Sequence, residues 1–365
     1  MIAGGGTGGH VVPAIAIGKA LVQLGHDPST LLFVGSRRGI EGRMVPAAGF
    51  DLVTLPGRGI ARRVNFTNVV SVAGLVAAAA RALVIVGKAR PSVVVVVGGY
   101  ASVPAALAAV VLRVPVVVSE QNAVPGLANR LAGHFAKACA VAFPGTRLPR
   151  AVDTGNPVRA EIARLERTES SRVEARRELG ITTDAAVVAV VGGSLGARRI
   201  NEAAVGLARS WRSRGRVSIY HVVGERDWAD ISALSVESGV GGIEYKRVRF
   251  EDRMDRLLCA ADVLVSRAGA TTVAELTAVG VASVLVPLGG SPGDHQSHNA
   301  RVLSDAGAAI TIADSELDAD TLAEQLDRLL SDRSLLDEMA AAARVLGRPE
   351  AAIAVARLVE RNSRG

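Results

Sequence analysis

Apolar runs rich in valine alternate with stretches of helical periodicity along almost the whole chain. The strand-like runs are Leu31–Val34, Val93–Val97, Val116–Val118 and Ala138–Ala142 in the first half, and Ala186–Val191, Val217–Val223, Val263–Val265 and Ser283–Val286 in the second. Runs that are apolar throughout, rather than alternating, are typical of parallel strands covered by helices on both faces. The pattern therefore predicts a doubly wound α/β fold.

Two glycine-rich segments divide this pattern into two similar halves. Ala3–His10 (AGGGTGGH) opens the chain, and Val191–Arg198 (VGGSLGAR) follows a predicted strand; each precedes a helical stretch. We therefore expect two Rossmann-like domains, residues 1–158 and 159–348, followed by a last helix that starts at Pro349. Only three residues precede the first glycine, so either the first central strand is stunted or the true start lies upstream.

Residues 64–80 carry no charge, which raises the question of a membrane span. Asn65 and Thr67 are polar, and Arg81 ends the stretch before about 20 apolar residues accumulate. A helix on the protein or membrane surface is the better interpretation. Its basic flanks suit anionic headgroups and comprise Arg58, Arg62, Arg63, Arg81, Lys88 and Arg90.

Positive charge is concentrated in the first half. Residues 1–158 hold 15 Lys and Arg against 5 Asp and Glu, whereas the remainder holds 27 against 30. The first domain is therefore expected to meet an anionic partner. Aromatic residues make up 3% of the chain, so base-stacking platforms are scarce, and phosphate groups or an anionic membrane fit better than nucleic acid. The two cysteines are too few for a disulfide framework or a zinc site.

The first loop matches the dinucleotide fingerprint at Gly4, Gly6 and Gly9. A dehydrogenase also needs a carboxylate at the end of the second strand to hold the ribose. That strand ends in Gly35-Ser-Arg-Arg38, without a carboxylate, so the sequence disfavours NAD. The function that remains for the loop is to bind a phosphate through its backbone N–H groups.

Seven motifs follow one another along the chain. They are Gly5–His10 (GGTGGH), Gly98–Tyr100 (GGY), Ser119–Asn122 (SEQN), Gly155–Arg159 (GNPVR), Gly192–Arg198 (GGSLGAR), Ser266–Glu275 (SRAGATTVAE) and His295–Asn299 (HQSHN). Together they resemble the MurG family of N-acetylglucosaminyltransferases, which convert lipid I to lipid II in peptidoglycan synthesis. The resemblance covers about residues 3–310, and it departs from the family in its missing first strand and in Asp294-His295.

The resemblance implies a GT-B fold, two Rossmann-like domains facing across a cleft. Residues 1–158 would bind the acceptor, lipid I, and the membrane; residues 159–348 would bind UDP-GlcNAc; and a helix of residues 349–362 would pack back on the first domain. The implied reaction is an inverting transfer of GlcNAc to the muramyl 4-hydroxyl, without a cofactor. The implied location is the cytoplasmic face of the cell membrane, as a peripheral enzyme.

Two residues are candidates for the base that takes the acceptor proton. His10 ends the first glycine loop at the start of a helix, and histidine accepts a proton near neutral pH. A structural histidine that hydrogen-bonds the loop is the alternative. Glu120, in the third motif, is the competing base.

The resemblance assigns substrate contacts to the other motif residues. Those implied for UDP-GlcNAc are Thr7, Gly8, Gly9, Asn122, Arg159, Ser194, Glu275, Gln296 and Asn299, and those implied for the acceptor and its phosphates are Gly6, Gly98, Gly99 and Tyr100. Glu275 would hold the ribose hydroxyls, with a solvated helix carboxylate as the alternative. Ser194, at a helix start, would bind the diphosphate together with Arg159 and Arg198.

Gln296 and Asn299 lie three residues apart on a predicted helix and so share a face. Their amides match sugar hydroxyls, and helix capping is the alternative.

No metal site is expected. The only Asp-x-Asp, Asp318-Ala-Asp320, precedes a helical run, where aspartate is explained by N-capping. A UDP-GlcNAc epimerase on the same fold, or a membrane scaffold that only binds nucleotide-sugar, remain alternative hypotheses.

Overall fold

The computed structural model describes residues 1–37, 39–56, 67–193, 196–236, 241–290 and 292–364. The chain divides into two compact units, Met1–Arg159 with Arg348–Gly365, and Ala160–Gly347. Arg159 is thus the last residue of the first unit, whereas the sequence suggested it as the first of the second domain.

The first unit is a parallel sheet covered by helices. Its elements are β1 (Ile2–Gly4), α1 (Gly8–Gln23), β2 (Leu32–Ser36), α2 (Glu41–Ala47), β3 (Asp51–Leu55), α3 (Thr67–Ala89), β4 (Val94–Gly98), α4 (Ser102–Val111), β5 (Val116–Glu120), α5 (Leu127–Gly133), β6 (Ala138–Val141) and β7 (Ala151–Asp153). The strand order is β3-β2-β1-β4-β5-β6-β7. The strand order reverses beside β1, as in Rossmann-type sheets.

The second unit repeats the plan. Its elements are α6 (Ala160–Ala163), α7 (Glu169–Leu179), β8 (Ala186–Val191), α8 (Arg198–Ser210), β9 (Val217–Val222), α9 (Trp228–Ser232), β10 (Glu244–Val248), α10 (Met254–Ala260), β11 (Val263–Ser266), α11 (Ala270–Val279), β12 (Ala282–Leu285), α12 (His295–Asp305), β13 (Ala309–Thr311), α13 (Ala319–Ser331) and α14 (Arg333–Leu346). The strands are parallel in the order β10-β9-β8-β11-β12-β13. The predicted doubly wound α/β class is confirmed.

Strand β1 is short but lies at the centre of its sheet. Ile2 pairs with Phe33 of β2 on one side and with Val95 of β4 on the other, and it is buried. The first central strand is therefore present but short, which is the stunted strand of the two alternatives. Three residues suffice here because longer strands flank both edges of β1.

Strand β4 shows why its run of valines is continuous. Val95 belongs to the hydrophobic cluster that includes Ile17 of α1, whereas Val94 belongs to the cluster that includes Ala82 of α3 and Ala109 of α4. Because side chains of a strand alternate between the two faces, a strand covered by helices on both sides needs apolar residues at every position.

The last helix, α15 (Ala351–Arg361), starts two residues after Pro349, so the prediction that Pro349 opens the helix is wrong. Val355 and Leu358 join the cluster that contains Ile17, which packs α15 against α1 in the first unit.

Helix α3 contains most of the charge-free stretch noted in the sequence. None of the helices in the described part of the chain is both long and apolar enough to cross a bilayer. Arg58, Arg62 and Arg63 lie outside the described residues.

A buried aspartate ties helices α7 and α14 to the sheet of the second unit. Asp262 Oδ1 accepts from Arg172 and from Arg333 (3.0 Å), and Oδ2 accepts from Arg176 (2.8 Å) and from the N–H of Val187 (2.8 Å). Burial alone raises the pKa of Asp262, but Arg172, the Val187 N–H and Arg176 outweigh it and hold the pKa below its ordinary value. Asp262 is therefore an anion in the folded protein.

Candidate functional site

Each sheet brings two glycine-rich or polar segments together where its strand order reverses. In the first unit these segments follow β1 and β4, and in the second unit they follow β8 and β11. In open α/β sheets this point, at the carboxyl ends of the strands, is where ligands bind. The seven motifs of the sequence lie on or near these segments or at neighbouring strand ends, apart from Gly155–Arg159.

The two glycine segments of the first unit pack backbone against backbone. Gly5 N donates to Gly98 O (3.2 Å). Gly99 has a φ of +82°, and a Cβ there would lie 2.2 Å from Gly5 O. Only glycine permits both this backbone conformation and this approach. The pairing brings the loop before α1 next to the end of β4.

His10 lies in the first turn of α1, against that second glycine segment. Its Nδ1 is 3.3 Å from Thr7 Oγ1, and a Cβ at Gly98 would lie 2.8 Å from its Nε2. The ring is half-buried. His10 thus stands at a helix N-terminus beside the carboxyl end of β4, at the point of the sheet where ligands bind in open α/β folds.

Glu120, at the end of β5, is 2% exposed. In the described structure its Oε1 accepts from the N–H (2.9 Å) and Nδ2 (3.2 Å) of Asn122, and its Oε2 accepts from Gly126 N (3.1 Å) and Asn129 Nδ2 (2.9 Å). A carboxylate bonded this way holds the segment that includes Asn122 in place. Both oxygens are already used as acceptors, which gives Glu120 a structural role in this segment.

A second carboxylate, Glu41, lies at the first glycine loop and was missed in the sequence. It enters from the first turn of α2 and bonds Ser36 at the end of β2 and Gly6 in the loop. The sequence placed no carboxylate at the end of the second strand. The residues directly after the strand carry no carboxylate. The fold of α2 nevertheless brings the Glu41 carboxylate to the strand end. Gly35 and Gly39, which both precede Glu41 in the sequence, were the available sign that a side chain packs closely there.

Two residues assigned to the acceptor are already engaged within the protein. The N–H of Gly6 donates to Glu41 Oε2 (2.8 Å). The Tyr100 hydroxyl donates to Pro56 O (3.0 Å) and lies 3.3 Å from Gly74 O, which ties its ring to α3. Partial burial raises the pKa of Tyr100. The geometry gives both residues a supporting role in the loop.

The second unit carries its glycine loop between β8 and α8. Ser194 and Leu195 lie outside the described residues, and Ala197 is the N-cap of α8. Gly196 has a φ of +86°, and a Cβ there would lie 2.6 Å from Asp227 Oδ2. The loop therefore rests directly on a buried carboxylate.

A chain of buried polar groups leads away from that carboxylate. Asp227 Oδ2 accepts from Asn201 Nδ2 (3.0 Å), so Asn201 Oδ1 faces His221 Nε2 (3.0 Å), which carries the proton. His221 Nδ1 then accepts from the Tyr245 hydroxyl (2.8 Å). Burial lowers the pKa of His221 to about 3, so the ring is neutral. This chain fixes the loop to β9 and β10.

The two arginines expected at the diphosphate are placed differently. Arg198 lies in the first turn of α8 but is largely exposed and pairs with Glu202 (2.9 Å) and Asp230 (3.2 Å). Those pairs give it a surface role. Arg159 is half-buried at the end of the first unit.

Glu275 lies on α11, the helix that follows β11, and is 6% exposed. The alternative that it is a solvated helix carboxylate is therefore wrong. A buried carboxylate is stable only when it is hydrogen-bonded or paired. Its helix begins beside the carboxyl end of β11, at the point where the strand order of this sheet reverses.

Gln296 and Asn299 share helix α12, as predicted, but their surroundings differ. Gln296 is half-buried, and its Oε1 accepts from Leu288 N (2.9 Å). Its NH2 group therefore points away from Leu288 and is a hydrogen-bond donor. Asn299 is fully buried and donates to Ala268 O (3.2 Å). It braces the loop before α11.

Asp318 caps helix α13, as the sequence predicts, because its carboxylate accepts from Thr321 N (2.8 Å). Hydrogen bonds from Thr321 lower the pKa of Asp318. Over the ranges that the structure describes, no three His, Cys, Asp or Glu side chains are grouped to hold a metal ion.

Two Rossmann-type units with parallel sheets, each with a glycine-rich loop at its switch point, are the architecture of the GT-B class. The family matches place the chain among the glycosyltransferases of that class. Residues 1–141 match the glycosyltransferase family 28 N-terminal domain, and residues 187–355 match the glycosyltransferase family 28 C-terminal domain. The chain belongs to the MurG family within this class, as its full-length relatives show.

One such relative is the UDP-N-acetylglucosamine–N-acetylmuramyl-(pentapeptide) pyrophosphoryl-undecaprenol N-acetylglucosamine transferase of Caldanaerobacter subterraneus. It is 37% identical over 99% of this chain and 98% of its own length. The crystal structure of Acinetobacter baumannii MurG superposes with a TM-score of 0.78 at 30% identity, covering 99% of each chain. A UDP-GlcNAc 2-epimerase from Neisseria meningitidis gives a TM-score of 0.65 at 12% identity over 98% of each chain, which shows a common fold alone.

Proposed function

We propose that this enzyme transfers GlcNAc from UDP-GlcNAc to the 4-hydroxyl of the muramyl sugar in undecaprenyl-pyrophosphoryl-MurNAc-pentapeptide, lipid I, to give lipid II. The hydroxyl oxygen attacks the anomeric carbon, the bond to the diphosphate breaks with inversion, and UDP leaves. The observation that carries the proposal is a sequence identity of 37% and 40%, over 99% and 98% of this chain, with two transferases of that name.

In this proposal the first unit binds the acceptor. Helix α1 offers the N–H groups of Gly8 and Gly9, which precede its first intrahelical bonds, to the acceptor pyrophosphate. This replaces the assignment of these two residues to UDP-GlcNAc that the resemblance implied. His10 takes the proton of the attacking hydroxyl. Gly98 and Gly99 support this position because their backbone holds the loop in place.

The second unit binds the donor in this proposal. The glycine loop and the positive end of α8 stabilise the charge that develops on the leaving UDP. Glu275 holds the ribose hydroxyls, and the NH2 group of Gln296 donates to a hydroxyl of the GlcNAc ring.

The decisive experiment supplies the protein with radiolabelled UDP-GlcNAc and lipid I. We expect label in the lipid phase and one UDP released for each sugar transferred. Conversion of UDP-GlcNAc without lipid I would instead identify an epimerase. Binding of UDP-GlcNAc without turnover would identify a scaffold, and either result would refute the proposal.

Replacing Glu275 by alanine is expected to raise the KM for UDP-GlcNAc while the KM for lipid I stays unchanged. Loss of charged hydrogen bonds to the ribose costs roughly 1.5–3 kcal/mol, or about 10- to 150-fold. Steady-state kinetics with each substrate varied in turn measures the effect. Glu324→Ala, on the exposed side of α13, is the matched control. An unchanged donor KM would remove Glu275 from the site.

We also propose that the enzyme acts as a peripheral protein on the cytoplasmic face of the membrane, through the first unit. Helix α4 packs against both α3 and α5, and all three helices expose apolar side chains. Val76 of α3 is 65% exposed and Phe135, just after α5, is 61% exposed. Further exposed apolar residues on these helices are Val84, Leu107, Val111, Leu127 and Leu131. Exposed Arg81, Lys88, Arg113, Arg130 and Lys137 lie on or beside the same helices.

The combined change of Arg81, Lys88 and Arg113 to glutamine is expected to weaken binding of the full chain to anionic vesicles. Each basic residue near such a surface contributes about 1 kcal/mol, and added salt reduces the difference. Vesicle sedimentation at low and high salt measures it. Arg216→Gln, exposed on the second unit, serves as the control. Equal sedimentation of the wild type with neutral and anionic vesicles would contradict the proposal.

We propose further that transfer needs no divalent cation. The Asp318 carboxylate is used as a helix cap, and α8 offers its positive end to the leaving diphosphate. Assays in excess chelator should therefore keep most of the activity. Loss of activity in chelator that added Mg²⁺ restores would overturn this expectation.

A further inference from the structure

The carboxylate of Glu41 is enclosed between the end of β2 and the first glycine loop. It is 1% exposed. Among the described contacts, Oε1 accepts from the N–H (2.7 Å) and the hydroxyl (2.8 Å) of Ser36, and Oε2 accepts from Gly6 N (2.8 Å). Three donors therefore converge on the two oxygens, so the carboxylate is hydrogen-bonded on both sides.

The backbone around this carboxylate leaves no room for other side chains. A Cβ at Gly5, Gly35 or Gly39 would lie within 2.5 Å of atoms of the Glu41 side chain. Glycines from the loop, from β2 and from the turn before α2 thus surround one carboxylate. The enclosure links the loop to β2 and α2 at a single point.

Gly6 is the residue of the loop that this link holds. Thr7, the N-cap of α1, follows directly, and Gly8, Gly9 and His10 form the first turn. The N-cap lacks a side-chain cap hydrogen bond. The start of α1 is therefore fixed from the Gly6 side, by Glu41, as well as by its packing.

We propose that Glu41 is a positioning residue for acceptor binding: its anionic carboxylate holds Gly6 so that the N–H groups of Gly8 and Gly9 and the ring of His10 meet the acceptor. This inference rests on the proposed function. It assigns the Gly6 N–H to an internal anion, and the acceptor phosphates to the helix start that follows.

Both acceptor oxygens and the full length of the side chain are needed for this role. In Glu41→Gln one oxygen becomes an NH2 group, which faces either Gly6 N–H or the Ser36 donors and cannot accept from them. In Glu41→Asp the charge stays, but the side chain is one methylene too short to reach Gly6. Glu41→Asp therefore loses the link to the loop, and Glu41→Gln sets its NH2 group against an N–H donor at one end of the enclosure. Ser36→Ala removes one hydrogen bond to Oε1 but leaves the bond to Gly6, so it is the matched control.

We expect Glu41→Gln and Glu41→Asp to raise the KM for lipid I about tenfold or more and to lower kcat, because misplaced groups lose the aligned geometry. The KM for UDP-GlcNAc should change less than twofold, on the same reasoning. Hydrogen exchange of the peptide that covers residues 4–10 should accelerate in both variants, and Ser36→Ala should leave this exchange and both KM values near wild type.

These measurements separate the two proposals. A wild-type protein that does not turn over lipid I refutes the proposed function, while the exchange data still test the link between Glu41 and the loop. An active wild type whose Glu41 variants keep the lipid I KM and the exchange of residues 4–10 refutes the inference. So does a Ser36→Ala protein that changes as much as the Glu41 variants. Should Glu41→Gln fail to fold, Glu41→Asp against Ser36→Ala decides.

Discussion

Replacing His10 by alanine will lower kcat by about 10²- to 10⁴-fold and leave the KM for UDP-GlcNAc nearly unchanged. His10 is half-buried in the first turn of α1, with its ring against Gly98. A base that takes the acceptor proton acts in the transition state, so its loss affects turnover rather than donor binding. Single-turnover and steady-state rates measure the effect.

Two other variants sharpen this test. His26→Ala removes an exposed histidine that pairs with Glu360 (2.9 Å), and it should keep wild-type turnover. Glu120→Gln tests the competing base, but it also disturbs the hydrogen bonds to Asn122 and Gly126. We therefore expect Glu120→Gln to raise KM values and to lower kcat far less than His10→Ala does. If Glu120→Gln lowers kcat by about 10²-fold or more and His10→Ala is nearly silent, the base is Glu120.

Asp262→Asn is expected to lower the free energy of unfolding by about 3–5 kcal/mol at pH 7, because it leaves buried arginines without their anion. Arg172 and Arg176 are both mostly buried and bond this carboxylate. Urea denaturation followed by circular dichroism measures the change. Asp184→Asn, whose pair with Arg216 is exposed at both ends, should leave stability nearly unchanged. Equal stability of the two variants would contradict the role given to Asp262.

The same prediction has a pH dependence. The folded pKa of Asp262 lies below its ordinary value of 3.8. The carboxylate therefore contributes its stability in full above pH 3.8, and that contribution is lost as the pH falls through the folded pKa. The difference between the wild type and Asp262→Asn should be constant from pH 5 to 7 and shrink below about pH 4. A difference that grows in acid would show that the arginines are held another way.

The strands that the sequence predicted are, with one exception, those with two neighbours. Strands such as β4, β5 and β8 are covered on both faces and flanked on both sides, so selection for burial leaves an unbroken apolar run. The strands without such a run are the edges β3, β7, β10 and β13, together with the three-residue β1. Edge strands face solvent in part, and in β7 all three residues are exposed. Their mixed composition therefore gives no periodic signal.

The sequence also identified the loops of the candidate site, because glycine is required where backbones approach each other. Gly99 against Gly5 and Gly196 against Asp227 are examples. Which side chains support those loops was not predictable. Glu41, Asn201 and Asp227 come from helices and turns outside the loops, and nothing in their local sequence indicates what they contact.

The class of fold, the two glycine-rich loops and the family can be inferred from the sequence, because burial and close backbone approach restrict residue types position by position. Which carboxylates are engaged within the protein depends on the tertiary packing. Glu41 and Glu120 are both used as hydrogen-bond acceptors, and His10 stands beside Gly98 at the strand end. The physical reason is that a hydrogen bond depends on the distance and direction between two atoms. For residues such as Gly6 and Glu41, 35 positions apart, the packing of the whole unit sets both.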